Sequence, residues 1–188
     1  MTVLRISMAD TVLQRFGNQL AALGAGKAAD AMRRASMHTG AKARTKVARA
    51  LVKQTGLKYG TMRRAIHLKA IPGGLGFMLQ SKGGDISLRY FRARETRKGV
   101  TAAPWNKRTL YEGAFIKSGW NWPSRRVVLN GHVFRRLGGD RLPIEKQRSG
   151  LYIPKEMLEG ASRLTFERSL REDLLPRLSH EIGRLLPR

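Results

Sequence analysis

Four histidines, His38, His67, His132 and His180, and no cysteine are the nitrogen and sulfur ligands this chain offers a metal. None of the four stands at metal-ligand spacing from another histidine or a carboxylate, so the pattern describes no zinc site. A paired-carboxylate or two-metal nuclease centre needs acids clustered among the strands. The stretch 67–139 holds only Asp85, Glu95 and Glu112. Gly73, Gly74 and Gly76 lie in the sequence GGLG, which lacks the Lys-Ser/Thr pair and the following helix of a phosphate-binding loop. A hairpin turn is the better reading. No G-x-S-x-G or H-E-x-x-H motif occurs. The expectation is a protein that is not an enzyme and carries no cofactor or metal.

The interaction this sequence does offer is electrostatic. Lys and Arg number 37 against 13 Asp and Glu, for a net charge of +24 and an isoelectric point near 11.6. The surplus is uneven, with 27 basic and 5 acidic residues in 1–139 but 10 and 8 in 140–188. A field of that size repels itself unless a partner neutralises it. Nucleic-acid phosphate is the usual partner, and an acidic protein surface or acidic membrane would also serve. A pure solubility device normally mixes signs.

Two basic clusters stand out. Lys42, Lys46, Arg49 and Lys53 gather on one face of a predicted helix, with no acids among them for i,i+4 pairing. The stripe is either a solvated helix face or a surface for a phosphate backbone. Arg92, Arg94, Arg97 and Lys98 form a basic run that turns at Gly99 and leads into apolar segments at 100–105 and 111–116. This reads as hairpin strands with positively charged loops. Trp120 and Trp122 lie in a Gly/Asn/Pro/Ser loop, where they could stack on bases or anchor a protein interface. Phe115 and Phe134, within β-prone runs, are further interface candidates.

The elements that must position these groups follow from periodicity. Residues 2–7 alternate as a short strand. Ser7 is a candidate cap, with Asp10 in the first turn, for an amphipathic helix carrying Met8, Val12, Leu13, Phe16, Leu20 and Leu23. Alanine-rich 27–55 reads as a long helix that stops at Gly56, with Gly40 marking a bend. A short helix at 57–66 follows, and a helix-turn-helix reader has to be weighed there. Strands are expected at 67–71, 76–80 and 86–91, and a hairpin at 125–136 about Asn130-Gly131. Pro154 starts a short helix. A C-terminal helix capped at Ser162 carries Phe166, Leu170, Leu174, Leu178, Ile182 and Leu185, and Pro176 should kink or divide it. That helix either packs over the sheet or docks on a neighbouring subunit. The order is α+β: N-terminal helices, one long and basic, a mostly antiparallel sheet of short strands, and a C-terminal helix. One domain spans 1–188, with a helical part at 1–66, a β-rich part at 67–153 and a helical arm at 154–188. No apolar run is long enough to span a bilayer and residues 1–10 lack signal-peptide features, so synthesis is expected in the cytoplasm.

Several segments, in order, resemble the minor tail protein Z family of tailed bacteriophages and prophages. They are Val52-Lys53-Gln54-Thr55-Gly56-Leu57-Lys58, Arg94-Glu95-Thr96-Arg97-Lys98-Gly99-Val100, and Tyr111-Glu112-Gly113-Ala114-Phe115-Ile116. Gly131-His132-Val133-Phe134-Arg135-Arg136, Arg141-Leu142-Pro143-Ile144, and a Pro154-led segment before Leu175-Pro176 complete the set. The likeness covers residues from about 27 to the end, and the Trp120–Trp122 loop departs from it. The resemblance implies a structural virion protein, a tail-completion protein at the head-proximal end of a long tail. It also implies a homo-oligomeric ring, six-fold in expectation, that meets tail-terminator, tail-tube or head-completion proteins. Genome DNA would pass through the lumen without sequence readout, and no membrane is involved. The basic clusters would then face DNA. The rival from another class is a sequence-nonspecific DNA-binding module.

Overall fold

The computed structural model describes residues 2–5, 25–72, 75–118, 126–127 and 129–185. The helix expected at 7–23 and the Trp120–Trp122 loop lie outside the described residues.

Alanine builds the central element. Helix α1 (Ala25–Thr55) buries Ala28, Ala31, Ala35, Ala43 and Ala48, together with Met32, Val47 and Leu51. Methyl-sized side chains lose little entropy in a helix and let a second helix come close. The helix runs through Gly40 without a break. Gly40 is needed for proximity. A Cβ at that position would stand 2.7 Å from Leu68 Cδ1 and 2.8 Å from Phe77 Cδ2, inside van der Waals contact. Gly56, at φ +79°, ends α1 with its N–H donating to the Val52 carbonyl at 3.0 Å.

Helix α2 (Tyr59–Ala65) is pinned to α1 by Arg44, whose Nη2 donates to the Arg63 carbonyl at 2.8 Å. It passes without a loop into β2 (Ile66–Ala70), so its end leads into a sheet rather than a groove reader. Strand β3 (Phe77–Ser81) is central to a three-stranded antiparallel sheet, flanked by β2 and by β1 (Thr2–Arg5). Its inward residues Phe77 and Leu79 are buried against α1.

The expected strand at 86–91 is instead a 3-10 turn, Leu88–Phe91, preceded by a single bridge from Ser87 to Arg148. Leu88 and Phe91 are both fully buried. A spacing of three brings them to one side in a helical turn, whereas a strand would send them to opposite faces. The next antiparallel sheet is β4 (Arg94–Thr96), β5 (Gly99–Ala102) and β6 (Thr109–Glu112).

The expected hairpin at 125–136 is also overturned. Its two arms pair elsewhere: β9 (Arg126–Val127) with β8 (Lys117–Ser118), and β10 (Phe134–Arg136) with β7 (Ala114–Phe115) and β11 (Ile144–Lys146). Between the arms Leu129, Asn130 and Gly131 take φ of 51°, 58° and 69°. Three successive left-handed residues redirect the chain, where a two-residue turn would close it on itself.

Helix α3 (Ile153–Leu158) leads to α4 (Gly160–Gly183). Ser162 lies inside α4, not at its cap; its hydroxyl donates toward the Glu156 and Glu159 carbonyls at 2.7 and 2.8 Å, stitching α3 to α4. Pro176 neither divides α4 nor ends it. The helix is fastened to α1 on both sides of the proline, by Lys46 to Asp173 before it and Arg34 to Glu181 after it. Leu178 is buried there with Ala28, Met32 and Ala35. Phe166 meets Phe77 edge-on at 6.2 Å, a contact worth about 1 kcal/mol beyond its burial. The result is an α+β fold of a long helix, antiparallel sheets of short strands and a C-terminal helix laid antiparallel along the first. Among the described residues, no helix is long and apolar enough to cross a membrane.

Candidate nucleic-acid interface

The basic stripe of α1 has acid partners that its own sequence does not contain. Lys46 Nζ lies 2.5 Å from Asp173 Oδ2 and 3.8 Å from Glu172 Oε2, and Lys42 Nζ lies 3.7 Å from Asp173 Oδ1. The Ser169 hydroxyl also donates to Asp173, at 2.9 Å. The Lys46 hydrogen bond holds the Asp173 carboxyl below its ordinary range against the opposing effect of burial, and Ser169 and the charges of Lys46 and Lys42 add to it. One turn of packing further, Glu181 is 1% exposed and receives Arg34 at 3.1 Å and Arg177 at 2.5 Å, with Arg184 at 4.0 Å. Burial pushes the Glu181 carboxyl up. The Arg34 hydrogen bond and the charges of Arg177, Arg34 and Arg184 outweigh it and bring it below the usual value. The expectation of an unneutralised stripe is therefore corrected for Lys42 and Lys46: α4 supplies the acids.

Arg49 and Lys53 differ. Both are exposed and make no ion pair among the described residues. They border a groove of about 810 Å³ between α1 and α4, together with Lys46, Trp105 and Glu156. Trp105 escaped the sequence reading, which placed it at the end of an apolar run. It belongs to a tight turn, Pro104–Asn106, docked on the end of α1. Asn106 Nδ2 donates to the Lys53 carbonyl at 2.7 Å, and Trp105 Nε1 donates to Glu156 Oε1 at 2.8 Å. Gln54 Nε2 takes the other Glu156 oxygen at 2.6 Å.

The second basic cluster is exposed throughout. Arg92 follows the 3-10 turn at φ 54°, Arg94 lies in β4, and Arg97 and Lys98 form the β4–β5 turn. Thr96 Oγ1 closes that turn on the Gly99 carbonyl at 2.9 Å. Glu95 accepts the Ile116 and Lys117 N–H groups at 3.0 and 2.8 Å. No hydrogen bond or ion pair among the described residues joins this hairpin to Arg49 or Lys53. Phe115 and Phe134 face each other across β7 and β10, half-buried, with ring centres 6.4 Å apart. The Arg136 guanidinium sits 5.5 Å over Phe115.

The structure also brings together a serine and a histidine that sequence spacing does not. Ser87 Oγ is 2.8 Å from His132 Nδ1, and Lys146 Nζ is 3.4 Å from His132 Nε2. The polarity is wrong for an activated hydroxyl. An ammonium has only protons to give, so Nε2 is the acceptor and Nδ1 carries the hydrogen toward Ser87. A nucleophile's base must instead receive the serine proton. Burial lowers the His132 pKa, and Lys146 and Arg89 lower it further, so the ring stays neutral and links three segments. Among the described residues, no group of three or more His, Asp or Glu is gathered to hold a metal ion.

Comparison with family models, with curated proteins and with solved structures finds no match to this chain.

Proposed function

We propose that the protein is a structural virion component rather than an enzyme: a tail-completion protein at the head-proximal end of a phage tail, forming a ring around the DNA path. The ring is homo-oligomeric, and its faces meet tail-terminator, tail-tube or head-completion proteins. The observation that carries this reading is the exposed hairpin of Arg92, Arg94, Arg97 and Lys98, whose Glu95 accepts two backbone N–H groups. Cations held on an exposed turn, with no ion pair among the described residues, suit passing phosphate contact without base readout. The ordered resemblance of residues 94–116 and 131–144 to the minor tail protein Z family supports the same conclusion. A ring subunit also tolerates three small sheets of two to four residues per strand, because neighbours bury what a monomer exposes.

Gold-labelled antibody imaging of tailed particles tests the reading. Label at the head–tail joint supports it. Label at the distal tip keeps a tail role and removes the DNA path. An unlabelled particle, with the protein on cellular DNA, favours a sequence-nonspecific DNA-binding module. Independently, a variant with Arg92, Arg94, Arg97 and Lys98 all changed to Glu should fold normally and lower infectious titre; an unchanged titre would remove DNA contact from the proposal.

A further inference from the structure

The groove between α1 and α4 has a feature that the fold does not need. Trp105 is 44% exposed and sits at φ 50°, with Asn106 at φ 59° beside it. A bulky residue in the left-handed region costs on the order of 1–3 kcal/mol and persists only when its surroundings enforce it. Here the Asn106 bond to α1 and the indole bond to Glu156 enforce it. The indole edge is used and its face stays open. Ala50, Gly160 and Ala161 give the groove its apolar part, and Arg49 and Lys53 stand exposed at its border, with no ion pair among the described residues. Glu156 keeps its charge, but its two oxygens are turned to the indole and Gln54 N–H groups, and it makes no ion pair with Arg49 or Lys53 among the described residues.

We propose that this groove is a docking site for an acidic segment of a partner protein, whose apolar side chain lies against the Trp105 ring while its carboxylates meet Arg49 and Lys53. Charge complementarity selects the occupant. A second copy of this chain is a poor donor of such a segment: its densest acids, Glu172 and Asp173, are already joined to Lys46. A nucleic-acid strand is a poorer fit than a peptide, since strand binding stacks successive bases on several aromatics and Trp105 is the one aromatic lining the groove. An amphipathic segment laid between two helices needs one anchor and a charged flank. This proposal stands apart from the tail reading and survives or fails without it.

The test is fluorescence anisotropy with the full chain in about 0.15 M salt. The probe is a fluorescein-labelled peptide of about 12 residues built from Glu-Glu-Leu repeats, in which each leucine is flanked by carboxylates. An oligodeoxynucleotide of roughly eight phosphates is the charge-matched comparison. The peptide is expected to saturate in the micromolar range, with the oligonucleotide weaker. Arg49→Glu with Lys53→Glu, and separately Ala161→Phe, should each weaken the peptide by at least about tenfold. Ala161 is exposed, and its replacement fills the groove while leaving the Trp105–Glu156–Gln54 bonds in place. The quadruple Glu variant of the 92–98 hairpin should bind as the natural chain does. No saturable binding, an oligonucleotide that binds more tightly, an Ala161→Phe variant with unchanged affinity, or equal weakening by the hairpin variant would each overturn the proposal.

Discussion

The stripe of α1 divides into two regions that look alike in sequence and differ in use. Lys42 and Lys46 are tied to Asp173 and Glu172, and Arg34 upstream is tied to Glu181. Arg49 and Lys53, one and two turns on, make no ion pair among the described residues. The first region stabilises the fold, because its charges close the seam between the two longest helices. The second region adds nothing to that seam and leaves its field for a partner. Net charge alone does not separate the two roles; which acids of α4 reach across to α1 does.

The sharpest way to break this distinction is Glu181→Ala. It leaves three arginines around an emptied, buried position and should cost about 3 kcal/mol, read as a lower urea midpoint at unchanged slope. An effect under about 0.5 kcal/mol would mean that the matched region is as idle as the unmatched one. Asp173→Asn keeps the shape and removes the charge, and it should cost about 1 kcal/mol. A double-mutant cycle with Lys46→Met should recover most of that as coupling.

Acid titration probes the same carboxyls. Both Asp173 and Glu181 have folded pKa values below their ordinary ones. Their contribution is therefore complete above the ordinary carboxylate range and is lost as pH falls through the folded values. Melting temperature followed down through about pH 4 should drop less steeply in a variant with Asp173→Asn and Glu181→Gln. His132 gives a smaller effect at higher pH. Its folded pKa lies below 6.5, so the unfolded chain binds the proton first. Stability should fall, by under about 1 kcal/mol, as pH drops from near 6.5 to the folded value, and His132→Gln should remove that slope. The smallest effect belongs to the unmatched region. Arg49→Glu with Lys53→Glu should shift stability by no more than about 0.5 kcal/mol either way. A larger loss would show that these cations have a structural partner after all.

Much of the fold could be read from the sequence where the signal is local. Alanine marked α1, period-two runs marked β2 and β3, and the register of apolar residues marked α4. Where long-range pairing decides, the reading failed. The Lys46–Asp173 bond spans 127 positions, and no feature near Lys46 announces it. Asn130-Gly131 is a strong hairpin signal, yet the flanking strands found better partners in β7 and β8. Leu88 and Phe91 did carry a usable signal, a spacing of three inside a run read as alternating. Trp105 carried none, because an aromatic beside Pro104 looks the same in a strand end and in a turn held open by Glu156.

Gly40 has a consequence well beyond its own contacts. The Leu68 and Phe77 side chains seat against the bare backbone there, so the sheet holds α1 like a pawl in a notch. Sliding the helix by about one turn along its axis would set Ser36 or Arg44 against the same two side chains. The notch thus indexes α1 lengthwise, and with it which cations come level with α4's acids and which pass beyond them. A side chain of one hydrogen atom, with no charge of its own, thereby helps fix which cations of α1 come level with acids.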